Sequence, residues 1–179
     1  MSPRPVARAP RGPVARGVRV VLAALSAALV VPSLAHAQSS ASASVTADVQ
    51  QPITVSKTSD LAFGAVFPGL PKTVAVTDAG AAAFAIQGQA GGNVNLTFTL
   101  PSTLASGGAT LPVAAWTARR SATNSPGSGT DFVPSSTATS AAISGGGTLY
   151  VFLGATAQPA AAQPAGSYTG TATVTVVYF

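Results

Sequence analysis

Cysteine and glutamate are absent from this 179-residue sequence, and histidine occurs once, at His36. Without cysteine there is no disulfide to staple the fold, and no thiolate to attack a substrate or hold zinc. The acids are four aspartates, Asp48, Asp60, Asp78 and Asp131, and charged side chains of both signs make up only 7% of the chain. Acid–base catalysis needs groups that exchange protons near neutral pH. Beyond His36, a Ser-His-Asp or Cys-His arrangement is therefore excluded. A carboxylate pair for glycoside hydrolysis would require two scattered aspartates to converge, yet each lies near a turn, where Asp commonly supports local backbone. A Ser–Lys pair would have to use Lys57 or Lys72, both set among polar, turn-like residues. The expectation is a protein that is not an enzyme and carries no cofactor or metal.

Long apolar runs are also missing. The longest, Val20 to Val31, is about a dozen residues, too short to cross a bilayer as a helix. It follows five arginines (Arg4, Arg8, Arg11, Arg16 and Arg19), is stopped by Pro32, and leads to Ala35-His36-Ala37. A basic stretch, a short apolar stretch and a small-x-small site make a cleavable secretory signal over residues 1–37, cut between Ala37 and Gln38. No span then remains in the mature chain, and the route runs through the periplasm to the cell surface or beyond.

Cleavage removes the excess positive charge. Lys57, Lys72, Arg119 and Arg120 balance the four aspartates, so the pI near 10.5 belongs to the precursor. A neutral chain offers no basic stripe to phosphates, which excludes nucleic acid as a partner. It also does little to discourage self-association. Arg119-Arg120 reads as a solvated loop pair, and Asp60 as the support of a turn before Leu61.

What is present is alternation of period two, the mark of strands. Ala41, Ala43, Val45, Ala47 and Val49 alternate with polar residues, and Val94, Leu96, Phe98 and Leu100 do the same. Val74 with Val76, Phe84 with Ile86, the stretch Leu111–Thr117, and Leu149, Val151 and Leu153 add further short strands. Trp116 is the largest core candidate. Residues 119–140, rich in Ser, Thr, Gly and Pro, read as a long surface loop with at most a short strand near Phe132 and Val133. Residues 167–179 read as one continuous strand, with Gly170 marking a bulge or a change of sheet. About eight short strands with Gly- and Pro-rich turns predict an all-β, immunoglobulin-like or pilin-like β-sandwich.

The ends carry the clearest landmarks. Gly166 is the fourteenth residue from the end and Tyr178 the penultimate one. This resembles the C-terminal signature of chaperone–usher pilus subunits. The runs Ile53-Thr54-Val55, Asp60-Leu61-Ala62-Phe63-Gly64, Ala83 to Gly88, Gly166 to Thr171 and Val174-Thr175-Val176 are similar to a secreted bacterial family, domain of unknown function 4402. That family is itself similar to the spore coat U domain. The resemblance implies a sandwich with an open groove, filled by β-strand addition from a periplasmic chaperone and then from another subunit passing through an usher. It implies that Ala43, Val45, Ala47 and Val49, within the segment 38–51, form the donor strand. It also implies that Gly166, Tyr168, Val174, Val176 and Tyr178, within the domain 52–179, line the groove and are read by the chaperone. The knobs of this donor are small, whereas pilus subunits usually present bulkier ones. The alternative is a self-contained secreted module that binds polysaccharide or another envelope component, with the N-terminal segment completing its own sheet.

Overall fold

A computed structural model describes residues 39–179 of the chain. The signal segment and its cleavage position lie outside the described residues. The chain divides into two compact units, Met1–Val45 and Thr46–Phe179. In the first, residues 39–45 are exposed and have no regular structure. In the second, residues 46–52 are likewise irregular, and all the strands follow. The alternation of residues 41–49 thus forms no strand here. Two faces are not enough, because a strand also needs a hydrogen-bonding partner.

Ten strands are described: β1 (Thr54–Ser59), β2 (Lys72–Val74), β3 (Ala82–Gln87), β4 (Asn93–Thr99), β5 (Thr103–Ser106), β6 (Ala109–Ser121), β7 (Thr130–Phe132), β8 (Thr139–Ala142), β9 (Thr148–Ala157) and β10 (Thr173–Tyr178). The larger sheet runs β1-β3-β9-β6-β5, with β2 added to β9 and β7 to β6. The smaller runs β10-β4-β8. All pairings are antiparallel. The fold is an all-β sandwich of two sheets.

The core lies between the sheets. Val94, Leu96 and Phe98 of the central strand β4 are 0–2% exposed and pack against Ile86, Leu149, Val151 and Leu153. Strand β9 is buried on both faces because Val76 and Ala83 cover Phe152 on the outside. It therefore reads as an unbroken apolar run, as strands covered on both sides do.

Two long elements differ from the sequence expectation. Residues 167–179 do not form one strand. Thr169 exchanges backbone hydrogen bonds with Ala105 of β5, and the chain then crosses to pair with β4 from Thr173 onward. The crossing is at Gly170, where a Cβ would lie 2.7 Å from the Leu104 side chain. Gly170 therefore does mark a change of sheet. Residues 119–140 are also more ordered than a loop. Strand β6 continues through both arginines to Ser121, β7 pairs back onto it, and β8 joins β4. Serine and threonine suit a half-exposed strand as well as a loop, so composition misjudged this stretch.

Candidate functional site

Strands β1 and β10 are the edges of their sheets on the same flank of the sandwich. Strand β1 pairs only with β3, and β10 only with β4, among the described residues. Both leave a row of backbone donors and acceptors without a strand partner, the condition that invites another chain. The inward side chains of β10 reflect this openness. Val174, Val176 and Tyr178 are half-buried, whereas the neighbouring inward residues of β4 are fully buried. Strand β1 is exposed along almost its whole length.

A cleft of about 870 Å³ lies between the end of β1 and the segment that leads into β10. One wall is the end of β1 with residues 60–68, and the other is the segment 163–172. Ala82, Phe84, Leu104, Leu111 and Trp116 form its floor. The rim carries an exposed ion pair, Lys57 Nζ to Asp60 Oδ1 at 2.7 Å. Asp60 thus serves a lysine rather than capping a turn.

Trp116 reaches the cleft because of a bulge. The register of β6 on β9 slips between Ala114 and Thr117, and Ala115 has φ = 49°. Left-handed backbone at a residue with a Cβ costs on the order of 1–2 kcal/mol. The slip changes the phase of the strand, since Leu111 and Val113 face inward before it and Trp116 and Ala118 after it. Bulges re-aim side chains in this way. Trp116 is accordingly half-buried in the cleft, not the centre of the core.

The C-terminal landmarks have separate tasks. Tyr168 donates its hydroxyl proton to the Pro164 carbonyl and accepts a hydrogen bond from Gln163 Nε2, both at 2.7 Å. Gln163 also binds the Thr110 carbonyl and the Ala160 amide. The loop forming one wall is thereby pinned to β6, and Gly166 lines the wall beside it. Tyr178 holds the far end of β10. Its hydroxyl accepts from the Gln89 amide at 2.6 Å and donates to the Gln51 carbonyl at 2.9 Å. The ring needs a glycine at position 88, where a Cβ would fall 2.5 Å from the phenolic oxygen.

Gly166 and Tyr168 lie beside β5 and β6, whereas Val174, Val176 and Tyr178 lie on β10 against β4. Ala43, Val45, Ala47 and Val49 are exposed, Val45 by 94% and Val49 by 95%, and none has a strand partner. Asp60, Asp78 and Asp131 each serve a local partner. Asp78 accepts the Ala75 amide at 2.9 Å, and Asp131 forms a two-pronged pair with Arg119. That pairing holds the Asp131 carboxyl below the usual range, chiefly through the hydrogen bonds from Arg119 and also through its charge. The arginines are not a solvated loop pair. Arg119 also binds the Pro126 carbonyl, and Arg120 reaches across the sandwich to the Ser140 carbonyl. Sequence reasoning missed Phe84, Leu104 and Trp116 as cleft residues, since only the bulge and the sheet crossing bring them there. Among the described residues, no cluster of three metal-ligating side chains occurs and no helix is long and apolar enough to cross a membrane.

Comparison with known proteins gives one match. Residues 53–178 match the family described as Domain of unknown function (DUF4402). No curated protein and no solved structure matches the chain.

Proposed function

The chain belongs to the DUF4402 family, and from that premise we propose that it is a structural subunit of a secreted surface fibre or coat, assembled by β-strand complementation. The observation that carries this reading is that β1 and β10 each pair with a strand on one side alone among the described residues, with a cleft between the end of β1 and the segment leading into β10. An added strand would satisfy both rows of backbone groups and cover the half-buried side chains of β10. The spacing supports the same reading. Ala43, Val45, Ala47 and Val49 present four side chains at period two, and β10 with its lead-in presents four inward positions, Ala172, Val174, Val176 and Tyr178. At roughly 3.3 Å per residue, a seven-residue donor spans about the length of this row. The small size of the donor residues suits a groove already partly filled by Phe84 and Trp116.

The reading assigns the subunit to the periplasm in transit, with a chaperone holding the open flank and an usher exchanging it for the next subunit. It gives the protein no catalytic step. Deletion of residues 39–49 tests it. The shortened chain should fold, because those residues touch no core, yet should form no SDS-resistant ladder where the full chain does. A ladder from the shortened chain would disprove the donor role. A full-length chain that stays a soluble monomer, with a sharp unfolding transition and no need of a chaperone, would favour a self-contained binding module.

A further inference from the structure

The cleft is distinct from the row of side chains along β10. Of the inward positions Ala172, Val174, Val176 and Tyr178, only Ala172 lines it. Both of its walls are pinned. On one side the Ala62 amide donates to the Gly80 carbonyl at 2.8 Å, and a Cβ on Gly80 would fall 2.5 Å from the Ala62 oxygen. On the other, Gln163 Nε2 donates to the Thr110 carbonyl and to the Tyr168 hydroxyl. A cleft of about 870 Å³ with fixed walls is of the kind that takes a small molecule, for which roughly 300–1,000 Å³ is usual.

Its lining combines aromatic surface with neutral polar groups. Phe84, Trp116 and Tyr168 are all half-buried there. The Tyr168 hydroxyl is already engaged by Gln163 and Pro164, so the ring is what it offers a ligand. Trp116 is held in place by the bulge at Ala115, whose φ of 49° is strained, and strain of this kind gathers at ligand-binding positions. Residues 60–68 and 163–172 are irregular chain with one strand-type bridge, at Thr169. Most of their backbone donors and acceptors thus lie outside any ladder. The charged residues of the lining are Lys57 and Asp60, which neutralise each other.

This combination selects among ligands. A phosphate or another anion would need a positive charge not already paired. A lipid tail would cover polar groups of the walls without satisfying them. A neutral sugar meets both halves of the lining. Its axial C–H face lies flat on an aromatic ring, and its hydroxyls donate and accept around the edge. We propose that the cleft binds a short neutral oligosaccharide of gluco-configured pyranose units, stacked on Trp116. Such sugars, with their substituents equatorial, present the flattest apolar face. The site does not depend on strand donation.

Trp116 is the single tryptophan of the chain, so its fluorescence reports the cleft directly. Cellotriose or triacetylchitotriose, added to the purified chain, should shift its emission and protect it from acrylamide quenching. Raising the salt to about 1 M should leave binding unchanged, because no net charge is engaged. By calorimetry, Trp116→Ala should weaken binding at least about tenfold, and Trp116→Phe should retain part of it. No fluorescence response to either sugar overturns the inference, whether or not Trp116→Ala folds. Binding that a folded Trp116→Ala chain keeps in full overturns it too. A synthetic peptide of residues 39–49 supplies the contrast. If the peptide alters Trp116 emission and neither sugar does, the cleft belongs to strand donation instead. A sugar response from a chain that forms no SDS-resistant ladder would leave the saccharide site standing and strand donation fallen.

Discussion

The two long flanks of the sandwich are made from the same kinds of residue but end differently. On the β7–β8 flank the chain itself crosses between the sheets. The Ser135 carbonyl accepts the Phe98 amide at 2.9 Å, the Phe98 and Phe132 rings meet at 5.7 Å, and Arg120 of the larger sheet binds the Ser140 carbonyl of the smaller. On the β1–β10 flank the hydrogen bond across the sheets is that of Tyr178 to Gln51, at one end. A flank closes where the connection runs between the sheets. It stays open where the bordering strands, β1 and β10, each pair with one strand alone among the described residues. Openness here follows from connectivity and not from a shortage of apolar residues.

Substitutions on the two flanks should sharpen this contrast. The largest effect is expected at the closed centre. Leu96→Ala empties a fully buried site and should cost about 2–5 kcal/mol in a denaturant titration. The same truncation logic at half-buried Val174 should cost about 1 kcal/mol in the isolated subunit. Equal losses at the two sites would mean that the β10 side of the groove is as closed as the β4 side. Next comes Gly88→Ala, whose Cβ would overlap the Tyr178 hydroxyl and the Ile143 side chain. Overpacking of that kind costs about 1–3 kcal/mol, visible as a lower Tm. Tyr178→Phe removes the bridge and keeps the ring. It should lose about 1 kcal/mol and raise hydrogen exchange at the Gln89 amide, without disturbing the β7–β8 flank.

The smallest effect is expected from Asp131→Asn. Arg119 depresses the Asp131 carboxyl in the folded state. A depressed acid stabilises the fold fully above its ordinary range, and loses that contribution as pH falls through its folded value. The pair is exposed, so the loss is slight. Unfolding measured from neutral to acid pH should show a shallower decline for Asp131→Asn than for the unaltered protein. Identical profiles would mean that the pair does not contribute.

Much of the fold was legible because alternation is local. Val94, Leu96 and Phe98 announce a two-faced strand, and the burial of β4 follows that pattern residue for residue. The C-terminal face from Ala172 to Tyr178 was legible for the same reason. Trp116 was not, because a one-residue bulge at an ordinary alanine reverses the phase and leaves no glycine to mark it. In 119–140 the short strand near Phe132 was expected and is β7, but the run of β6 to Ser121 and the start of β8 were missed because Ser, Thr and Gly serve edges and loops alike. The single-strand reading of 167–179 failed where the chain changes partner without changing its alternation.

By itself the sequence determined an all-β chain, neutral once its first 37 residues are set aside, with no histidine, cysteine or glutamate in the remainder. Those properties depend on residue identity and on neighbours two positions away. The tertiary structure decided which edges stay unpaired, where the cleft opens, and that Tyr178 holds the start of the domain. Those properties depend on hydrogen bonds between residues as far apart as Gln51 and Tyr178, and no local pattern specifies such partners.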